Sequence, residues 1–547
     1  MCGIFFYKIS GEFDESMLLK IKRNFYKTKH RGPDNSQIII VGNNTFIGFH
    51  RLSINDLSES GNQPFVFEDE NGDKSYLICN GEIYNHKDIQ NKYNIQCKTE
   101  SDCEVIYHLY KKIGIESTCE NLDGVFAFLI YHEKDGKIVM ARDTVGVRPM
   151  FFSVNKDCIA VCSEGKGIID LADNVRQFIP STHAVYDSSD FKLNKYFAVK
   201  EEEFDTSNIE HVYERVRTVF IDAVNKRLMS DRQIGCLLSG GLDSSLVAAI
   251  LSSELKKIGK KLNTYSIGFE GSTDLHYAKI VADYIGSNHH EVLMSEENAY
   301  KDLEKIVMAI ESWDTTTIRA STGMYFVSEY IKKNTKDVVI YSGEGADELM
   351  QGYLYFHYAP DTMKGTIESL RLMRDLCYFD VLRCDRTTAA HGLEVRVPFL
   401  DIDFMSLIRS MPDEFVAPTK NIEKYLVRKA FDSTDYLPGE ILWRTKEAFS
   451  DGVSGKKKSW HTFIKDKCDD LFTDQQFEAL KVKFLVNPPK SKEELLYRFY
   501  FERHYCDNDD WIPYYWLPRW VDQKDPSARE LKVYRDRNSD HNITLIK

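Results

Sequence analysis

Three short stretches hold residue types that could do chemistry. Cys2 follows the initiator methionine. Ile234 to Leu238 runs into Ser239-Gly240-Gly241-Leu242-Asp243-Ser244-Ser245, and Val338 to Tyr341 runs into Ser342-Gly343-Glu344-Gly345-Ala346-Asp347-Glu348. Removing Met1 would leave Cys2 with a free α-amine, whose ordinary pKa of about 7.7–8.0 suits a general base, so nucleophile and base would be one residue. In the second stretch, glycines let the backbone approach a phosphate, N–H groups and the following helix start bind the anion, and hydroxyls add hydrogen bonds. No G-x-x-x-x-G-K-[ST] occurs, so this is not a Walker A loop. The carboxylates of the third stretch would repel a triphosphate unless a divalent cation intervened, which predicts Mg²⁺ held by Asp243 and Asp347. The plainer alternatives are a capped βα turn for the second stretch and an acidic surface turn for the third.

A thiol amidase needs more than its thiol. His30-Arg31-Gly32-Pro33-Asp34, Arg51-Leu52-Ser53-Ile54, Asn80-Gly81-Glu82-Ile83-Tyr84-Asn85 and Ser101-Asp102 follow Cys2 in order. The Asn80 side chain and the Gly81 N–H could donate to a tetrahedral oxyanion. Arg51 could hold the α-carboxylate of an amino acid and Asp102 its α-ammonium. Against this, Asn80-Gly81 also reads as a tight hairpin turn, and Arg51 and Asp102 as solvated surface.

The elements that must position these residues fall into two rhythms. Over roughly the first 200 residues the chain reads as short β segments: Ser36–Val41, Phe46–Phe49, Ser75–Cys79, Val125–Tyr131, Ile138–Arg142 and Cys158–Cys162. Ser16–Tyr26 and Ser101–Ile113 are its best helix candidates, which predicts an α+β sandwich. After the acidic stretch Lys200–Asp205, helix-like Ile209–Leu228, strand-like Ile234–Leu238 and helix-like Ser244–Leu255 begin an alternation. It continues through Leu262–Phe269, Leu275–Ile285, Glu291–Met294 and Val338–Ser342, the pattern of a parallel sheet with crossover helices. A domain boundary near residue 205 follows, giving domains 1–205 and 206–547, and beyond about 360 the chain reads as mainly helical.

Taken together, MCGIFF, HRGPD, RLSI, NGEIYNH and ARDTVGVRPMFF, in this order, resemble the glutaminase domain of the class II, N-terminal-nucleophile amidotransferases. That resemblance implies a four-layer αββα sandwich in which Cys2 attacks the glutamine carboxamide and water later hydrolyses the glutamyl thioester. It also makes Arg51, Leu52, Ile54, Asn80, Gly81, Glu82 and Asp102 the glutamine contacts, Asn80 and Gly81 doubling as oxyanion donors. The loop Ser239–Ser245 resembles that of the PP-loop ATP pyrophosphatases, which split ATP between the α- and β-phosphates. With DVLRCDRTTAAHGLEVRVPFLD (380–401) and WRTKEAFSDGV (443–453), the whole order of motifs resembles the glutamine-dependent asparagine synthetase family, up to about residue 520.

The resemblance implies further roles. Leu238, Ile267, Ser342 and Gly343 would meet adenine and ribose, and Ser239, Gly240, Gly241, Asp243 and Ser244 the phosphates. Lys446 would hold the leaving pyrophosphate. Glu344 would assist attack of ammonia, and Glu344, Asp347 and Glu348 would surround the aspartate. The implied reaction uses glutamine, aspartate and ATP with Mg²⁺, and ammonia passes through the interior. A related lactam-forming cyclase is one rival, which the retained Cys2 and glutamine contacts disfavour. A non-catalytic homologue is another, which the presence of Cys2, Asp243, Glu344, Asp347 and Lys446 disfavours.

Composition narrows the rest. A chain of 547 residues with 43% hydrophobic and 12% aromatic residues can bury large cores, and its net charge of −13 opposes nonspecific binding to nucleic acid or an anionic membrane. Twelve cysteines without a C-x-x-C pair, no membrane-span-length apolar run and no basic leader predict a cytoplasmic protein. His289-His290 lacks companion ligands and reads as packing rather than zinc. The aromatic run Trp511, Tyr514, Tyr515, Trp516 and Trp520 suits interhelical or subunit packing, so a homodimer is one possible assembly. No function is assigned to the charged tail from Val521.

Overall fold

The computed structural model describes residues 1–187, 190–201, 203–446, 459–523, 525–527 and 531–534. The end of the 443–453 motif, from residue 447, therefore lies outside the described residues, as does most of the charged tail.

Among the described residues the first part contains twelve strands: β1 (Gly3–Ile9), β2 (Asn35–Val41), β3 (Thr45–Arg51), β4 (Phe65–Glu68), β5 (Lys74–Ile83), β6 (Gly124–His132), β7 (Ile138–Arg142), β8 (Phe151–Val154), β9 (Cys158–Cys162), β10 (Arg176–Gln177), β11 (Thr182–Asp187) and β12 (Asp190–Lys195). They form two antiparallel six-stranded sheets, ordered β10-β8-β9-β1-β3-β2 and β12-β11-β7-β6-β5-β4. The period-two alternation of strand side chains decides the layering. Ile4 and Phe6 of β1 face the seam between the sheets, with Ile47, Ile78, Leu129 and Met140. Phe5 and Tyr7 face the other way, onto Ile21 and Phe25 of the helix Glu15–Tyr26. Beyond the second sheet, Leu77, Cys79, Phe126 and Phe128 pack on Ile89, Ile106 and Leu109 from the helices His86–Tyr93 and Val105–Ile113. The result is helix, sheet, sheet, helix, the expected αββα sandwich.

One local expectation is corrected. Asn80-Gly81 is not a turn: β5 runs unbroken through it, with Asn80 opposite Ala127 and Gly81 opposite Phe126. Glycine is required there by close approach, since a Cβ on Gly81 would lie 2.4 Å from the Val125 carbonyl oxygen.

Among the described residues the second part is built on five strands: β13 (Gln233–Leu237), β14 (Asn263–Gly268), β15 (Asn288–Leu293), β16 (Asp337–Tyr341) and β17 (Glu394–Arg396). They pair in parallel in the order β15-β14-β13-β16-β17. The chain winds one way from β13 to β15 and then returns to the other side of β13, so the carboxyl ends of β13 and β16 flank a topological switch point, where α/β sheets bind ligands. Two elements had escaped the pattern. The helix Thr315–Asn334 buries Thr317, Arg319, Ser321 and Thr322 alongside Ile318 and Met324, which blurs its apolar stripe. Strand β17 lies in the stretch expected to be helical and buries two charges, Glu394 and Arg396.

The two parts are joined by buried ions as well as apolar packing. Across the junction Arg31 pairs with Asp385 at 2.8 Å, Arg386 with Glu164 at 3.3 Å and Arg396 with Glu82 at 3.3 Å, while within the parts Arg31 meets Glu164 at 2.7 Å and Arg386 meets Glu311 at 2.9 Å. Trp511 packs on Phe151 and Gly165 and donates its Nε1–H to the Val175 carbonyl at 2.8 Å, so part of the aromatic run is packed within the chain. Among the described residues no helix is long and apolar enough to cross a membrane. His289 sits between Thr264 and Ser266 with both ring nitrogens at 3.0 Å from their hydroxyls, and His290 stacks on Tyr265, consistent with packing.

Candidate active sites

The first site gathers at one end of β1, β3 and β5. The Cys2 N–H donates to Asn80 Oδ1 at 2.9 Å, and Cys2 Sγ lies 3.6 Å from the Leu52 carbonyl. Asn80 is fully buried and its Nδ2 has no partner among the described residues, an orphaned donor beside a thiol. Such a donor is costly unless something in the site accepts from it, which suits a transient oxyanion. Burial pushes the Cys2 thiol up to about 11, so it is protonated near neutrality and needs a base.

Glu82 and Asp102 converge through Asn55, whose Nδ2 donates to Glu82 Oε2 at 2.5 Å and Asp102 Oδ1 at 3.3 Å. Asp102 Oδ2 also accepts from the Ile83 N–H at 2.6 Å. Burial raises both carboxyls above their ordinary range, and Glu394 adds like-charge repulsion on Glu82. Two raised carboxyls side by side suit an ammonium group, although Arg396 pairs with Glu82 at 3.3 Å and opposes the rise there. Arg51 is held by the loop after it, donating to the Ser58 carbonyl at 2.7 Å, Asn62 Oδ1 at 2.8 Å and the Asp56 carbonyl. Leu52 and Ile54 belong to the same apolar cluster as Met1.

Met1 is present and nearly fully buried, and its α-ammonium donates to the Leu393 carbonyl at 3.4 Å. While it remains, the Cys2 nitrogen is a peptide N–H and no base. Burial pulls the Met1 amine down to about 6.

The second site is a cavity of about 200 Å³ at the carboxyl ends of β13 and β16. Its walls include Leu238, Ser239, Gly241, Asp243, Ser244, Ile267, Ser342, Gly343, Glu344, Asp347, Glu348 and Lys446. Gly240 is the one expected nucleotide contact that does not line it. Gly240 has φ +73° and a Cβ there would lie 2.5 Å from the Ala278 nitrogen, so its task is the tight turn against the helix Thr273–Ile285. A Cβ on Gly343 would lie 2.8 Å from the Ser244 nitrogen, so the two strand-end loops touch.

Charge in the cavity is organised in two groups. Asp243 and Asp347 both reach the Lys424 ammonium at 2.5 Å, and Lys446 reaches Asp347 at 2.5 Å. Burial alone would raise Asp347, but Lys424 and Lys446 hold it well below the carboxylate range. Asp243 Oδ1 is buried without a hydrogen-bond partner among the described residues. In the second group, Arg383 donates to Glu344 Oε2 at 2.7 Å and Asp380 Oδ1 at 2.6 Å, and Tyr353 donates to Glu348 at 2.6 Å and Asp380 at 2.8 Å. Burial pushes Glu344 up to about 7, with Arg383 opposing, and burial next to Asp380 raises Glu348.

Comparison with known proteins matches both parts of the chain. A glutamine amidotransferase domain model matches residues 1–220, and an asparagine synthase model matches 215–376 and 362–523. The glutamine-hydrolysing asparagine synthetase of Gallus gallus is 45% identical, covering 98% of this chain and 99% of that one. That of Homo sapiens is 46% identical, covering 93% and 95%. The chain belongs to the glutamine-hydrolysing asparagine synthetase family.

Several residues of these sites could not be found from the sequence motifs. Asn55 bridges Glu82 and Asp102 but lies outside the RLSI segment by one position. Lys424 opens the helix Tyr425–Asp432 far from either loop in sequence. Arg383 and Asp380 stand in a stretch matched only as a whole, although their spacing of three on a helix was a readable pairing signal. From the aromatic run and the tail, Trp516, Pro518, Pro526 and Leu531 also line the synthetase cavity.

Proposed function

We propose that the chain makes asparagine, AMP and diphosphate from aspartate and ATP, using ammonia that it releases from glutamine. Domains 1–205 and 206–547 would divide the work. In the first, the α-amine of Cys2, freed by loss of Met1, takes the thiol proton as sulfur attacks the glutamine carboxamide. Asn80 Nδ2 and the Gly81 N–H then meet the oxyanion, Asp102 with Glu82 holds the glutamine ammonium, and Arg51 its carboxylate.

In the second domain, the loop Ser239–Ser244 cradles the phosphates and Lys446 neutralises the departing diphosphate. Leu238, Ile267, Ser342 and Gly343 take the nucleoside. Glu348 holds the aspartate ammonium once ionised by that charge. Glu344 accepts a proton as ammonia attacks the β-aspartyl carbonyl. Leu52, Ile54, Val145 and Val147 share one apolar cluster with Val395, Val397 and Leu400, and ammonia crossing such an interior would stay unprotonated.

The observation that carries this reading is the meeting of Asp243 and Asp347, from two different strand-end loops, in one cavity with Glu344 and two lysines. Two carboxylates with an unpartnered oxygen fit a hard divalent cation such as Mg²⁺, and Asp243 and Asp347 would hold it. When bound, Mg²⁺ neutralises charge on the triphosphate. Asp243→Asn is therefore expected to lower Mg²⁺-dependent diphosphate formation on the order of a hundredfold. Glutaminase activity in the same preparation should stay within about twofold. Equal loss of both activities, or no loss of either, would remove Asp243 from this role. The reading includes a cytoplasmic location and a homodimeric assembly, which sedimentation would test.

A further inference from the structure

The buried ions between the two parts are unevenly placed. Arg31, wholly buried, donates through Nε to the Cys2 carbonyl at 2.8 Å. Its two terminal nitrogens donate to both oxygens of Asp385, at 2.8 and 3.1 Å. Asp385 is itself 1% exposed, and it stands on the helix Asp380–Ala389, in the synthetase part. Two residues earlier on that helix is Arg383, which holds Glu344 in the synthetase cavity. The backbone of the expected nucleophile is thus tied, through one guanidinium, to a carboxylate of the other part.

We infer that Asp385 is a positioning residue for glutamine hydrolysis, acting across the domain junction by fixing Arg31 and through it the Cys2 carbonyl. The inference rests on the reading of Cys2 as nucleophile. Physical grounds favour position over mere cohesion. A bidentate carboxylate sets both the place and the plane of a guanidinium, leaving Nε aimed in one direction. Glu164 also accepts from Arg31 at 2.7 Å, but through the terminal nitrogen Nη1 alone, so it neutralises without fixing the plane. Arg148 lies 3.7 Å from Asp385 Oδ1, the oxygen that Arg31 Nη2 also reaches. Loss of the Asp385 charge would let the guanidinium rotate about Glu164 and release the Cys2 carbonyl. An error of about 1 Å at a reacting group can cost on the order of a hundredfold in rate.

The test compares Asp385→Asn, Arg31→Lys, their double variant and Cys2→Ala in the full chain. Glutaminase kcat and KM are measured beside asparagine formation driven by added ammonium. Asp385→Asn should lower glutaminase kcat about ten- to a hundredfold with KM within about twofold, while the ammonium-driven rate stays within about twofold. Arg31→Lys keeps the charge but loses the Nε contact, and should show the same split. Because both act through one contact, the double variant should lose no more than the worse single one. Parallel loss of both activities, unchanged glutaminase in Asp385→Asn, or additive losses in the double variant would overturn the inference. If Cys2→Ala retained glutaminase activity, the underlying assignment of the nucleophile would fail instead.

Discussion

Cys2→Ala should lower glutamine hydrolysis by at least about 10³-fold and leave ammonium-driven asparagine formation within about twofold of the parent. The size follows from the role: with the sulfur gone there is no atom to form the thioester, and Asn80 and Gly81 can stabilise an oxyanion only if one forms. The spared activity follows from the layout, because Glu344, Asp347 and Lys446 line a separate cavity to which Cys2 contributes nothing. Blocking removal of Met1 should give the same split, since the Cys2 nitrogen would stay an amide donating to Asn80. Parallel assays with glutamine and with ammonium chloride read the result. Loss of both activities in a protein with unchanged circular dichroism would contradict the two-site division.

Glu344→Gln should reduce asparagine formation about 10²- to 10⁴-fold, whether ammonia comes from glutamine or from solution. Aspartate-dependent exchange of labelled diphosphate into ATP should persist, because adenylation needs no proton acceptor at that carboxyl. The pH dependence has a definite sign. Burial lifts Glu344 to about 7 in the free protein, so its basic form is lost as pH falls through 7. The ammonia-driven kcat/KM, corrected for the ionisation of ammonium, should therefore decline below that pH, and Glu344→Gln should flatten the decline. Normal turnover in the variant, or loss of exchange together with turnover, would remove Glu344 from the second half-reaction.

The sequence carried the sheets' alternating strands and the two glycine-rich strand ends because each is written in contiguous residues. The αββα layering follows from strands such as Gly3–Ile9, whose odd and even residues face different layers. What stayed hidden has a common physical cause. Lys424 and Asp385 act on partners that are distant in the chain: Lys424 meets Asp243 across 181 positions and Asp385 meets Arg31 across 354. No periodicity encodes such a meeting. Strand Glu394–Arg396 escaped because its charges, buried and paired with each other and with Arg148 and Glu82, break the apolar pattern of a parallel strand. Asn80-Gly81 reads as a turn by residue type, and only the pairing with β6 makes it strand.

The central claim is that one chain carries nitrogen from glutamine to an adenylated aspartate. Its most direct test supplies glutamine labelled with ¹⁵N in the side-chain amide, together with aspartate, ATP and Mg²⁺, and follows all products by mass spectrometry and phosphorus NMR. The result expected is asparagine carrying the label in its amide, with AMP and diphosphate formed in equal amounts. Unlabelled asparagine, or ADP and inorganic phosphate in place of AMP and diphosphate, would contradict it.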